Sequence, residues 1–267
     1  MSISSTAVSP GLILISGLEL TWTSTTVITV AAGYARDSSN TNVINMGNAL
    51  SVAATGTGEQ PVAAGTGAQT ITTTVSGVNG LDIGAIAAST FYAVYVIGDS
   101  FNVSPGSVII SANLTTPTLP AGYNMYLRIG YVLTDGSKHF LPFRQNGSGL
   151  DRWMWYDTAI VTSVTAGTSS TYAAVDATGA LPNGNPLMVN WLCTFTPTGA
   201  GNGLNLRAGA SSSTNGYAIA TGDAAGVAHE VNMFCPTDSP ITQAIEYKVV
   251  GTAVAIDVQA YLDQLGV

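Results

Sequence analysis

The chain is predicted to be all-β. Hydrophobic residues alternate with polar ones in short runs, and Gly-containing pairs of turn residues punctuate those runs. No window of about twelve residues combines a helical period with helix formers and caps. Thr25–Ala32 (TTVITVAA) is rich in β-branched residues, which favour a pleated surface. Phe91–Ile97 (FYAVYVI) alternates aromatic and aliphatic side chains between Ser89-Thr90 and Gly98-Asp99. Leu187–Phe195 (LMVNWLCTF) lies between Pro186 and Pro197, a strand with a breaker at each end. Val227–Phe234 also reads as a strand.

Ala244–Val250 and Ala253–Leu262 are separated only by Gly251-Thr252, which predicts a hairpin. In the second run Val254, Ile256, Val258, Ala260 and Leu262 share one face, with Asp257, Gln259, Tyr261 and Asp263 on the other. That alternation predicts a half-buried strand. Asn79, Asn146, Asn183, Asn202 and Asn215 each precede a Gly, and Asp135 precedes Gly136. Such pairs accept the positive φ of tight turns. Tyr126–Thr134, Asp135-Gly136 and Ser137–Phe143 therefore predict two strands joined by a two-residue turn.

The 267 residues suffice for one large β domain or two smaller ones. Residues 53–80 are low in complexity, with Glu59 as their single charge, and are expected to lie extended along a partner. Residues 145–158 (QNGSGLDRWMWYDT) run from a loop into a dense aromatic cluster. A boundary near residue 150 is expected there, giving an N-terminal β domain over 1–150. A C-terminal antiparallel β-sandwich, for which a jelly roll is one arrangement, follows over 157–267. The charge distribution shifts at the same place: five basic and seven acidic groups precede residue 157, two basic and eight acidic ones follow.

Charged residues make up 8% of the chain, against about 25% in an ordinary soluble domain. Charge keeps folded chains apart in solution, so a surface this poor in it is expected to meet other subunits. The net charge of −8 excludes the cationic footprint that a phosphate backbone requires, so no nucleic-acid partner is expected. No apolar stretch reaches the roughly 18–20 residues of a membrane span. The apolar piece Gly11–Leu20 has no Lys or Arg before it, so a secretory signal is not expected and folding in the cytoplasm of the producing cell is.

Motifs for catalysis are missing: there is no phosphate-binding Gly-x-x-x-x-Gly-Lys, no complete G-x-G-x-x-G, no G-x-S-x-G elbow and no H-E-x-x-H. Catalytic and cofactor-binding residues are expected to be none. Cys193 and Cys235 fall in strand-like runs and read as small buried hydrophobes. With His229 they could form only a partial metal site, and no metal is expected. Trp153, Trp155 and Tyr156 are candidates for a ligand or subunit contact. On a strand Trp153 and Trp155 share a face, Met154 and Tyr156 lie opposite, and Arg152 can pair with Asp151 or Asp157. Those two acids flank the aromatics, as the carboxylates of a sugar hydrolase would, although nothing in the sequence supplies the apolar pocket that would raise one pKa.

Three stretches taken together resemble virion structural proteins of tailed bacteriophages. They are Ala31–Val43 (AAGYARDSSNTNV), Gly80–Ser100 (GLDIGAIAASTFYAVYVIGDS) and Pro117–Phe143 (PTLPAGYNMYLRIGYVLTDGSKHFLPF). In the last, a Pro-Ala-Gly-Tyr turn leads into an Arg-Ile-Gly strand and a Thr-Asp-Gly turn. The resemblance covers roughly residues 20–150 and brings no active-site residues with it. It implies a β-rich fibre, spike or decoration protein of the virion, assembled as a homo-oligomer with a trimer foremost. Its partners would be copies of itself and capsid, neck or tail proteins, with a host surface glycan as a further one. The apolar Ile13–Val30 segment would anchor it, with Leu12, Ile13, Leu14, Ile15 and Leu18 as the anchor residues. A glycan- or receptor-binding module and a polysaccharide-degrading enzyme are the two alternatives.

Overall fold

The computed structural model describes residues 15–47, 66–101, 103–184, 188–212, 214, 216–239 and 242–265. Among these residues there are strands and no helix, so the chain is all-β. The first nine strands are β1 (Ile15–Gly17), β2 (Leu20–Ser24), β3 (Val27–Val30), β4 (Gly33–Arg36), β5 (Val43–Asn45), β6 (Gln69–Thr72), β7 (Phe91–Gly98), β8 (Ser107–Ser111) and β9 (Met125–Leu133). The remainder are β10 (Phe143–Ser148), β11 (Asp151–Val161), β12 (Ala173–Asp176), β13 (Met188–Phe195), β14 (Gly203–Ala208), β15 (Ala218–Thr221), β16 (His229–Pro236), β17 (Ala244–Val250) and β18 (Val254–Gln264).

One eight-stranded sheet, in the order β16-β13-β18-β11-β10-β2-β3-β6, organises the molecule. Smaller sheets accompany it: β8-β7-β9, β1-β4-β5 and β12-β17-β14-β15. All strand pairs are antiparallel. Residue 150 lies in the turn of the β10–β11 hairpin. The large sheet therefore takes strands from both sides of that position, and the buried side chains form one hydrophobic cluster. Val175, Leu204, Leu206, Ile245 and Val249 of the four-stranded sheet join Val189, Trp191, Cys193, Val254 and Ile256 of the large one. This sandwich occupies the second half of the sequence.

Several predicted elements form as their pattern requires. β7, β13 and β17 match their predicted runs closely, and β3 lies inside Thr25–Ala32. Residues 69–72 of the low-complexity stretch form β6 against β3, while 53–65 lie outside the described residues.

Three local expectations are corrected. β17 and β18 are not a hairpin: β17 pairs with β12 and β14, whereas β18 pairs with β11 and β13. Gly251, at φ +57°, turns the chain from one sheet to the other. Secondly, β18 does not keep one alternation. Asn190 pairs with Ala260 but Trp191 pairs with Val258, so Gln259 is an extra residue, a β-bulge. Beyond it the parity reverses, and Tyr261 and Asp263 point inward while Leu262 points outward. Thirdly, Asp135-Gly136 is not a two-residue hairpin turn. The reversal spans Asp135–Lys138, with Lys138 at φ +68° and Asp135 Oδ1 accepting the Ser137 and His139 amides. After the Thr134–Phe140 bridge the chain leaves for the large sheet.

The inward turn of Asp263 creates a buried ion pair. Arg128 on β9 donates to Asp263 Oδ1 at 2.6 Å and to the Gln264 carbonyl at 2.8 Å. Its guanidinium also lies 4.4 Å from the centre of the Tyr131 ring. Burial lifts the Tyr131 hydroxyl to about 12. This pair ties the three-stranded sheet to the large one.

Candidate interaction face

Strand β11 exposes its odd-numbered residues up to Asp157 and buries the even ones. Trp153 and Trp155 thus share the outer face of the large sheet, with Met154 and Tyr156 beneath, as the alternation predicts. The structure separates Tyr156 from the two indoles with which it was grouped. It is 2% exposed, packs against Tyr261 with ring centres 6.2 Å apart, and burial raises its pKa.

Arg152 pairs with neither Asp151 nor Asp157, because its even position turns it into the core. There it donates to the carbonyls of Leu18 at 2.8 Å and Gly17 at 2.6 Å. Those carbonyls are presented by two successive left-handed residues, Gly17 at φ +68° and Leu18 at φ +64°. The same corner places two expected anchor residues inside the chain: Ile15 and Leu18 are both buried in its own core. Leu12, Ile13 and Leu14 lie outside the described residues. Asp157 faces Arg144 at 3.5 Å. Asp151 and Asp157 are six residues apart on one strand, or ~20 Å at the usual strand rise. Carboxylates of a glycosidase stand about 5–9.5 Å apart, so these two do not make such a pair.

The aromatic face gains a member from far along the sequence. Trp155 lies opposite Ala260, Ala260 opposite Asn190, and Asn190 opposite Phe234, one row across β11, β18, β13 and β16. Three strand spacings separate β11 from β16, roughly 14 Å. Even so, the rings of Trp153 and Phe234 meet edge to face at 5.5 Å, and those of Trp153 and Trp155 lie 6.0 Å apart. The side chains must therefore lean over the strands between them, which is possible because Ala260 is small. Their lean explains why Ala260 and Asn190, both on the outer face, are 0% and 1% exposed.

Asn190 pays for this roof. Neither its side-chain oxygen nor its nitrogen has a hydrogen-bond partner. A buried polar group left in that condition costs about 1–3 kcal/mol. Phe234 itself is 51% exposed and stands on β16, an edge strand. Around the aromatics the outer face carries Asn146, Asn232 and Gln264 at exposed positions, the Arg144–Asp157 pair cancels its own charge, and Asp151 and Glu230 are exposed carboxylates toward its margins. Phe234 and Asn190 were not legible as site residues, since only the strand register brings them into one row with Trp155.

Other candidates do not converge. Cys193 and Cys235 are free and buried, and burial pushes both thiols up to about 12. His229 stacks on Phe195 with ring centres 5.3 Å apart. It lines a recess of about 280 Å3 with Thr194, Phe195 and Val254. Among the described residues no group of three or more His, Cys, Asp or Glu could hold a metal ion. A second recess of about 290 Å3 lies between Tyr95, Tyr126 and Arg128.

No protein-family model matches the chain, and no curated protein matches it. Among solved structures, a tryptic core variant of Cry1Da from Bacillus thuringiensis aligns with 98% of this chain at 10% identity and a TM-score of 0.16. The chain spans about half of that one, 52% of its length. A likeness this slight carries no argument about fold or function.

Proposed function

We propose that the chain is a structural, non-enzymatic component of a bacteriophage virion: a fibre, spike or decoration protein that assembles with copies of itself, as a trimer. One observation supports the assembly most directly, the scarcity of free positive charge on the described surface. Of the seven basic side chains, Arg128 and Arg152 are buried, Arg207 and Arg144 pair with Glu246 and Asp157, and Arg36 donates to the Asn40 carbonyl. Lys248 lies 5.2 Å from the Tyr172 ring centre, and the seventh, Lys138, is exposed. Meanwhile Val103, Phe101, Ile83, Val161 and Ile219 are large apolar side chains left exposed. Contacts between subunits cover such side chains without stranding unpaired charges.

The resemblance of residues 20–150 to phage virion proteins supplies the particle. Light scattering coupled to size exclusion tests the assembly: the expected mass is three times that of the 27.2 kDa chain. A soluble monomer at micromolar concentration would overturn it. Antibody labelling of purified particles tests the location, and particles free of label would remove the virion from the reading.

A further inference from the structure

We propose that the outer face around Trp153, Trp155 and Phe234 binds a neutral oligosaccharide, with the Asn190 amide as its buried polar anchor. This goes beyond the assembly reading and stands without it. The inference starts from the amide. Asn190 offers one acceptor and two donors, is 1% exposed, and satisfies none of them within the chain. An apolar subunit contact laid on top would leave it in the same state. A sugar hydroxyl both donates and accepts, so adjacent hydroxyls of one ring match a side-chain amide.

The roof is built to open. Phe234 touches Trp153 edge to face, is half exposed, and stands on β16, which among the described residues pairs within the large sheet with β13 alone. A rotation of its side chain uncovers Asn190 between Phe234 and Trp155. The two indoles then present apolar rings on which the C–H faces of successive sugar units stack. Charge selects the ligand class. The ionised groups on the described strands next to the two indoles are Arg144 and Asp157, which face each other at 3.5 Å, and the carboxylate Asp151, opposite Gln264, while Asn146 and Gln264 are neutral hydrogen-bonding groups. An anionic polymer finds no free cation here, and an uncharged polyhydroxylated ligand needs none.

The experiment uses the full chain on an array of immobilised neutral and acidic oligosaccharides. The strongest neutral one is then titrated in solution by tryptophan fluorescence. Saturable quenching is expected. Trp155→Ala, at a partly exposed position, should weaken binding at least tenfold with the melting temperature nearly unchanged. Asn190→Leu should also lose at least tenfold in affinity while melting at the same or a higher temperature, because it removes an unsatisfied buried group. A role confined to the fold would not give that pair of results.

Several outcomes would overturn the proposal. Binding to no neutral oligosaccharide would do so, as would unchanged affinity in Trp155→Ala and Asn190→Leu. So would a clear fall in melting temperature for Asn190→Leu, which would make the amide a structural group. If the unaltered chain binds no sugar and Trp155→Ala lowers the oligomer mass, the face is a contact between copies.

Discussion

Replacing Asp263 by Ala should be the most damaging single truncation at a polar site in this chain. The carboxylate is fully buried and accepts from Arg128 at 2.6 Å, and Arg128 is itself only 7% exposed. Without Asp263 the guanidinium keeps the Gln264 carbonyl and the Tyr131 ring, neither of which carries a countercharge. Removing one partner of a buried pair costs about 3–5 kcal/mol, because the other charge is left in a low-dielectric site. Replacing both, as Arg128→Met with Asp263→Leu, should cost much less than either single change, since no charge is then stranded. Urea unfolding at pH 7, followed by tryptophan fluorescence, gives the three free energies and their coupling. If Asp263→Ala costs under about 1 kcal/mol, below the range for breaking a buried pair, then water reaches Arg128 and the account of this pair fails.

Acid should weaken the fold through the carboxylates that cap its loops. At Asp37 burial acts to raise the pKa, but hydrogen bonds from Asn42, Thr41 and Ser39 outweigh it and the net shift is downward. Asp176, held by Thr178, and Asp99 and Asp135, held by backbone amides led by those of Phe101 and His139, are lowered too. Their folded values lie below the unfolded ones, so the stabilisation is complete above the ordinary Asp value of about 4. It is lost as pH falls through the depressed values. Asp257 and Asp263 run the opposite way, raised chiefly by burial, but they are fewer. Melting temperatures should therefore drop on going from pH 5 to pH 3, and a flat or rising profile would contradict these assignments. Separately, Gly251→Ala should destabilise by about 2 kcal/mol: a left-handed φ costs a non-Gly residue roughly 1–2 kcal/mol, and the new Cβ would collide with the Asn202 amide. A melting curve identical to that of the unaltered chain would show that the corner between β17 and β18 adapts freely.

What the sequence made legible was local. FYAVYVI and LMVNWLCTF declare strands because alternation and flanking breakers act within a few residues. Pairing partners are set by contacts far along the chain, so the same reading joined β17 to β18 when each belongs to a different sheet. The bulge at Gln259 reverses the faces of β18 and leaves no composition signal. It is the reason Asp263 sits in the core and Leu262 does not. At the candidate face, the i,i+2 spacing of Trp153 and Trp155 was enough to place them together. Tyr156 failed the same parity rule, and Arg152 found carbonyls from the β1–β2 corner that only the assembled sheet presents. Phe234 and Asn190 entered through register alone.

The shared sheet also constrains how the molecule comes to be folded. Trp153 on β11 waits for Leu262, and Thr21 on β2 waits for Arg144, so both pairings close loops of more than a hundred residues. Topologies of this kind fold slowly, and their half-made sheets offer open edges to neighbouring chains in the meantime. During synthesis β11 must therefore stand without its β18 neighbour until the ribosome has delivered that strand. Crowded polysomes and elevated temperature should divert some nascent chains into aggregates during that interval.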